Sequence, residues 1–211
     1  MNLKESVETL LKDAKKRDFI QTVNLSINLT GIDMKNAKNR INEEIFLPNG
    51  KGRNAKVAIF ATGELALKAK KVADLVLTDE DIEKLRDDKR KAKKIARAHD
   101  FFIAEAPLMA VIGKSLGTVL GPSGKMPKPI APGAEPKPVV DGLKKSVRVR
   151  SKSTLSLNIP VGREDMDVDK ICENSSAALG KIESRLEKGR DNIKSVFLSL
   201  TMSPSVKVEK W

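Results

Sequence analysis

The chain has 211 residues, enough for one large or two modest domains with a real hydrophobic core. Its 40 Lys and Arg against 28 Asp and Glu leave a formal charge of +12, an excess that favours polyanionic partners because each phosphate neutralised by a cation releases condensed counterions. No run of about 18 apolar residues offers a membrane span and no signal-peptide core opens the chain, while a single cysteine, Cys172, excludes an intramolecular disulfide or a cysteine-based zinc site; the expectation is a cytosolic protein with no membrane partner.

In chain order, Leu3, Val7, Leu10, Leu11 and Ala14 recur at helical spacing, with Asn2 and Glu5 placed as a capping box. The stretch FIQTVNLSINLTGID (19–33) alternates, Val23, Leu25, Ile27 and Leu29 pointing one way and Thr22, Asn24, Ser26 and Asn28 the other, which predicts a half-buried strand. A second helix is expected from about Lys35 to Asn42, before a turn at LPNGKGRN (47–54). From Lys56 the rhythm changes to short continuous apolar runs, with strands at 56–61, 74–77 and 101–106 and helices at 64–71, 79–98 and 108–121. Strands of that kind are buried on both faces, as in a parallel sheet between two helical layers. Residues 122–138 hold six of the ten prolines and read as a loop, followed by a short helix at 138–145.

Alternation then returns. In STLSLNIPVG (153–162), Leu155, Leu157 and Ile159 oppose Thr154, Ser156 and Asn158. An amphipathic helix follows, with Val168, Ile171, Cys172, Ser175, Ala178, Leu179, Ile182 and Leu186 on one face and Gly189 as its stop. The last strand (195–202) buries Val196, Leu198, Leu200 and Met202 and turns Ser195, Phe197, Ser199 and Thr201 outward. Strands near both ends of the chain thus share one pattern, an aliphatic face against a face of hydroxyls and amides, and the middle uses another. The economical reading is an α+β sheet domain built from both termini with an α/β domain inserted into it, the crossings near GKGRN and VRVRS acting as a hinge.

Candidate chemistry is sparse. Gly113-Lys114-Ser115 has Leu108 where a phosphate loop needs its first glycine and lies within an apolar helix; Gly124-Lys125-Met126 lacks a magnesium-binding hydroxyl; no G-x-G-x-x-G follows the strand at 56–61. The acids of TDEDIE (78–83) and REDMDVD (163–169) lie where helices begin and suit their dipoles. His99, the one histidine, is expected on the surface or at a helix C-terminus, and Cys172 as a buried inert thiol. These residues compose no catalytic constellation, metal site or cofactor site, and a nucleotide-dependent enzyme using the middle segment stands as the alternative to a binding protein. The basic run KLRDDKRKAKKIARA (84–98) reads as a solvated face or as a phosphate-contacting one. The three polar strand faces nearly lack the Lys, Glu and Arg of an ordinary solvated sheet, and short hydroxyls and amides approach RNA sugars and phosphates closely. Seven aromatics, Phe19, Phe197 and Trp211 among them, are too few for extensive base stacking, which favours recognition of a folded RNA by shape.

FIQTVNLSINLTGID, FLPNGKG, LGPSGKMPKP, NIPVGRE and SLTMSPSVKV, in that order and spacing, resemble the family of the first large-subunit ribosomal protein, L-one, the protein of the mobile ribosomal stalk, in its archaeal style. The resemblance runs from the first helix to the last strand. It implies a discontinuous α+β domain of residues 1–54 and 151–211 and an inserted three-layer Rossmann-like α/β domain of residues 55–150. It also implies a non-enzymatic protein of cytoplasmic ribosomes, monomeric outside them, that binds a folded segment of large-subunit ribosomal RNA, assists release of exit-site tRNA and represses translation by binding its own messenger RNA. Carried over to this sequence, the family's RNA contacts fall on Phe19 and Thr22, on Lys152, Ser153 and Thr154, on Ser195, and on Thr201, Met202 and Ser203 before Pro204. Thr22, Thr154 and Ser195 are also exposed by the alternation itself. Two positions depart from the family pattern: Ser203 replaces a glycine, and Asn24 replaces an acidic residue.

Overall fold

The computed structural model describes residues 2–34, 36, 39–151 and 154–210. The chain opens with α1 (Leu3–Lys12), β1 (Thr22–Leu29) and β2 (Asn42–Phe46). It continues through β3 (Val57–Phe60), α2 (Gly63–Ala69), β4 (Leu75–Leu77), α3 (Asp79–Asp87), α4 (Lys89–Ala98), β5 (Phe101–Glu105), α5 (Leu108–Ser115), α6 (Gly117–Leu120), β6 (Lys128–Ile130) and α7 (Pro136–Lys144). It closes with β7 (Ser146–Arg150), β8 (Ser156–Arg163), α8 (Val168–Glu183), β9 (Ile193–Leu200) and β10 (Val206–Val208). These elements form two compact units: the described residues up to Asn54 with those from Lys145 onward, and Ala55–Lys144.

The unit built from both ends holds an antiparallel sheet of order β10-β9-β1-β8 and a β2-β7 ribbon. Strict alternation in β1 sends Val23, Leu25, Ile27 and Leu29 inward to a core shared with Val7 and Leu10 of α1 and Ile171, Ala178, Leu179 and Ile182 of α8. The helices cover one face of the sheet, and the other is left to the polar set. At the start of α1 the Glu5 carboxylate accepts the Asn2 backbone N–H at 3.1 Å, the reciprocal half of a capping box.

The second unit is a parallel sheet of order β4-β3-β5-β6. Its apolar runs feed two cores. Ala58, Phe60, Phe102 and Ala104 face one cluster, beneath α3, α4, α5 and α6; Val57, Ile59, Phe101 and Ile103 face the other, beneath α2 and α7. That double burial is why β3 and β5 show no period-two pattern.

Several expectations are corrected. Of the helix expected at 35–42, residues 35, 37 and 38 lie outside the described residues, Asn39 is in a 3₁₀ turn rather than an α-helix, and β2 already begins at Asn42. Its sequence disguises it: Glu43 and Glu44 sit mid-strand because Arg185 pairs with Glu43 at 3.0 Å and Arg148 with Glu44 at 2.8 Å. Residues 145–150, placed in the inserted domain by the sequence, instead return to the first unit, where β7 pairs with β2. The helix expected over 79–98 is two helices: Asp88 leaves helical geometry (φ −107°, ψ 82°) to cap α4, accepting the Arg90 and Lys91 amides at 3.0 Å each. The apolar helix over 108–121 is likewise interrupted, at Leu116. The proline-rich loop contains β6, an edge strand where Pro129 needs no ladder donor, and α7 starts on Pro136. Helix α8 ends at Glu183, six residues before the expected stop at Gly189, which opens a 3₁₀ turn instead. Leu155 lies ahead of β8 and Met202 beyond β9, so both are exposed, at 40% and 58%, rather than buried.

Leu25 is fully buried at the centre of the first sheet. Leu25→Ala should therefore lower unfolding free energy by about 2–5 kcal/mol, whereas Leu67→Ala on the exposed side of α2 should change it by less than about 0.5 kcal/mol, as measured by urea denaturation.

Candidate nucleic-acid interface

The register of the first sheet assembles the polar residues of three strands into rows on one face. Ser156, Asn28 and Ser195 lie side by side, and so do Asn158, Ser26 and Phe197. Within these rows Ser156 Oγ donates to Asn28 Oδ1 at 2.7 Å, Asn28 Nδ2 donates to Ser195 Oγ at 3.1 Å, and Ser26 Oγ donates to Asn158 Oδ1 at 2.7 Å. The side chains brace one another, so their remaining donors and acceptors are held in position.

The candidate residues fall into two groups on this face. Thr22 starts β1, and its N–H donates to Thr201 Oγ1 at 3.1 Å. The Met202 N–H donates to Oε1 of Gln21 at 3.1 Å, and buried Gln21 donates in turn to Glu164 Oε2 at 3.1 Å. These bonds fix the turn after β9 so that Met202 (58% exposed) and Phe19 (48% exposed) stand out near the start of β1. Ser203 lies in the same turn, its N–H donating to Leu200 O at 3.4 Å. Its φ is not positive, so serine fits there without strain. Asn24 lies in register between Pro160 and Ser199.

Ser195 and exposed Thr154 belong to the other end of the sheet. Thr22 and Asn28, the partner of Ser195, are six positions apart along β1, or about 20 Å. The set therefore spans a face rather than converging on a pocket. Lys152 and Ser153 lie outside the described residues.

Sequence reasoning missed the cations of this face. Between Val23 and Asn24 the β1–β8 register slips by one, making Val161 an extra residue in β8. Strict alternation would bury Arg163; the bulge buries Gly162 instead and sets Arg163 opposite Thr22. A similar slip in β9 leaves Lys194 exposed beside Ser195. Arg163 joins Lys51 and Arg53 around an open concavity also lined by Phe19, Ile20, Thr22 and Pro160. The loop carrying Lys51 and Arg53 turns through Gly50 and Gly52, both at positive φ, and a Cβ on Gly52 would come within 3.0 Å of Arg163 and Met166. The available signal for the bulge was Pro160, a proline inside an alternating strand.

Asn174 holds this arrangement. Fully buried on α8, it donates to Gly50 O at 2.7 Å and to Val161 O at 2.8 Å, and accepts the Asn49 N–H at 3.1 Å. It thereby satisfies both the bulge carbonyl and the loop backbone.

Residues 10–204 match the ribosomal protein L1p/L10e family. Over 207 residues the chain is 51% identical to the large ribosomal subunit protein uL1 of Thermoplasma volcanium, covering 98% of this chain and 95% of that protein. It is 48% identical to uL1 of Archaeoglobus fulgidus (98% and 96% covered) and 47% identical to uL1 of Methanococcoides burtonii (96% and 95% covered). The chain belongs to the ribosomal protein L1p/L10e family. These relatives are archaeal, as the motifs suggest, and are named as ribosomal proteins rather than enzymes.

Membership in the L1p/L10e family agrees with the chemistry of the second unit. Doubly wound sheets bind ligands where the strand order switches, here between the C-terminal ends of β3 and β5. That position is held by Glu105, nearly buried, accepting the Thr62 N–H at 3.1 Å and its hydroxyl at 2.9 Å. A carboxylate there repels a phosphate. Neither glycine-lysine pair forms a phosphate loop: Gly113 and Lys114 lie exposed within α5, and Lys125 Nζ donates to Ala96 O at 2.8 Å and His99 O at 2.7 Å at the end of α4. His99, expected at a helix end or on the surface, caps α4 and is nearly buried, its Nδ1 3.0 Å from Ile95 O. Burial pushes the half-buried Cys172 thiol up from its ordinary pKa, away from thiolate reactivity. Among the described residues, no group of acids, His and Cys is arranged to hold a metal ion, and no helix is long and apolar enough to cross a membrane.

Asn174→Ala should strand the Val161 carbonyl and free the Gly50 loop, costing about 2–4 kcal/mol in urea denaturation and accelerating hydrogen exchange of the amides at 49–53.

Proposed function

We propose that the protein is a component of the large subunit of cytoplasmic ribosomes and binds a folded segment of large-subunit ribosomal RNA through the polar face of β9, β1 and β8. The observation that carries this reading is the braced, uncharged face of Ser, Thr and Asn, with cations at its two ends. Hydroxyls and amides held in rows can meet ribose 2′-hydroxyls and phosphates without losing long-chain entropy. Arg163, Lys51 and Arg53 supply long-range attraction at the end where Phe19 and Met202 provide apolar surface for a base or sugar. The names of the archaeal relatives support the ribosomal assignment.

In this reading Phe19, Thr22, Thr154, Ser195, Thr201, Met202 and Ser203 contact the RNA, as do Lys152 and Ser153. The unit built from both termini is, in this reading, the one that recognises RNA. The same face, presented with a similar fold in the protein's own messenger RNA, represses its translation. On the ribosome the protein assists release of exit-site tRNA, and outside the ribosome it is a monomer.

Met202→Ala, which removes only exposed side chain, should weaken binding to the stalk fragment of ribosomal RNA by about 1–3 kcal/mol, and Thr201→Ala by a similar amount. Arg163→Gln should lessen the salt dependence by about one phosphate contact. Filter binding across a salt series reads both; unchanged affinity in all three variants would refute the sheet face as the site. For repression, added protein should lower in-vitro translation of its own messenger but not of an unrelated one.

A further inference from the structure

The basic run at 84–98 has no part in the sheet face, and it is not a uniformly solvated helix either. It folds into α3 and α4, divided at Asp88. In α4 the small and apolar residues Ala92, Ile95 and Ala96 face the core. Lys89, Arg90, Lys91, Lys93, Lys94 and Arg97 are all exposed, and α4 contains no acid. Asp88, the acid at its start, is already committed: the backbone amides of Lys91 and Arg90 hold its carboxyl below the usual aspartate range, and Lys91 lies 3.6 Å away. At the other end, where a helix presents unpaired carbonyls and a partial negative charge, Lys125 Nζ donates to the carbonyls of Ala96 and His99. The rod therefore stays positive along its exposed length, about 12 Å from Lys89 to Arg97.

Such a helix carries a cost. Lys89 with Lys93, Arg90 with Lys94, and Lys93 with Arg97 are like charges four residues apart, an arrangement that destabilises a helix. Solubility alone needs no such clustering in a chain already at +12. We propose that the exposed face of α4 is a second RNA site, which grips the phosphate backbone of an A-form duplex without reading its sequence. The exposed face offers no aromatic or large aliphatic anchor of the kind that dominates protein–protein interfaces. A phosphate backbone requires only regularly spaced cations on a rigid support, and the packed Ala face and the Lys125 cap provide that support. This inference is independent of the sheet-face reading.

The test uses the full chain carrying Lys93→Gln, Lys94→Gln and Arg97→Gln together. The probes are an RNA duplex of arbitrary sequence, about 20 base pairs long, and a poly-glutamate of similar charge, followed by fluorescence anisotropy between about 50 and 200 mM salt. Duplex affinity should fall about tenfold or more at the lowest salt, with the slope of log K against log salt shallower by about 2–3, one per lost phosphate contact. Thr201→Ala with Met202→Ala should leave duplex binding unchanged while weakening the stalk fragment. Because all three substitutions are exposed and relieve like-charge repulsion, the melting temperature should hold or rise. Unchanged duplex affinity and slope in the triple variant would overturn the proposal. So would poly-glutamate binding as tightly as the duplex, which would mark α4 as a face for acidic proteins, or equal loss of duplex binding in the sheet-face variant.

Discussion

The arrangement of the polar face depends on one buried side chain. Asn174 sits on α8 with no exposed surface, and its carboxamide bonds to the bulge in β8 and to the backbone of the loop from β2. A bulge leaves a carbonyl outside the ladder, and an unmet buried carbonyl is expensive. By meeting it, Asn174 makes the bulge tolerable; the bulge in turn keeps Arg163 out of the core and sets it across from Thr22. The same carboxamide draws the glycine turn of Lys51 and Arg53 toward Arg163, where Gly52 leaves no room for a Cβ. Arg163 and the Lys51/Arg53 pair, more than a hundred residues apart in sequence, reach one concavity through this contact.

The two units solve the burial problem differently, and the difference bears on where ligands can go. The antiparallel sheet buries one face under α1 and α8 and leaves the other for a partner. The parallel sheet buries both faces, so only its strand ends and its helices meet solvent. Its strand-end crevice is held by Glu105 and Thr62, which turns a position used elsewhere for nucleotides into an anion-repelling one. What remains outward in that unit is helical, and in α4 it is cationic.

One of the segments that carry the family resemblance, LGPSGKMPKP, lies away from the polar face. In LGPSGKMPKP, Lys125 closes the end of α4, a Cβ on Gly121 would come within 2.7 Å of the Gly117 carbonyl oxygen, and Lys128 and Pro129 lead the edge strand β6. These are structural duties of the inserted unit. Such a segment reports the fold, while the candidate RNA contacts lie on strands whose individual residues are ordinary Ser, Thr and Asn.

The alternation of β1, β8 and β9 was legible because a strand places successive Cβ atoms on opposite faces, whatever the rest of the chain does. From it came the antiparallel sheet, its aliphatic core and its polar face, with Thr22 and Ser195 on that face. The continuous apolar runs of β3 and β5 likewise declared a doubly buried sheet, and the motif order declared the family. The charged ribbon β2 and β7 was not legible, because Glu43 and Glu44 are acceptable in a strand only once Arg185 and Arg148 arrive from distant segments. Nor were the bulges, the Asn174 clamp, the break at Asp88 or the gathering of Lys51, Arg53 and Arg163. The sequence by itself determined which faces are apolar and which polar, since periodicity is a property of neighbouring residues. Only the tertiary structure decided which cations border the polar face, since register, bulges and buried hydrogen bonds join residues that local periodicity cannot relate.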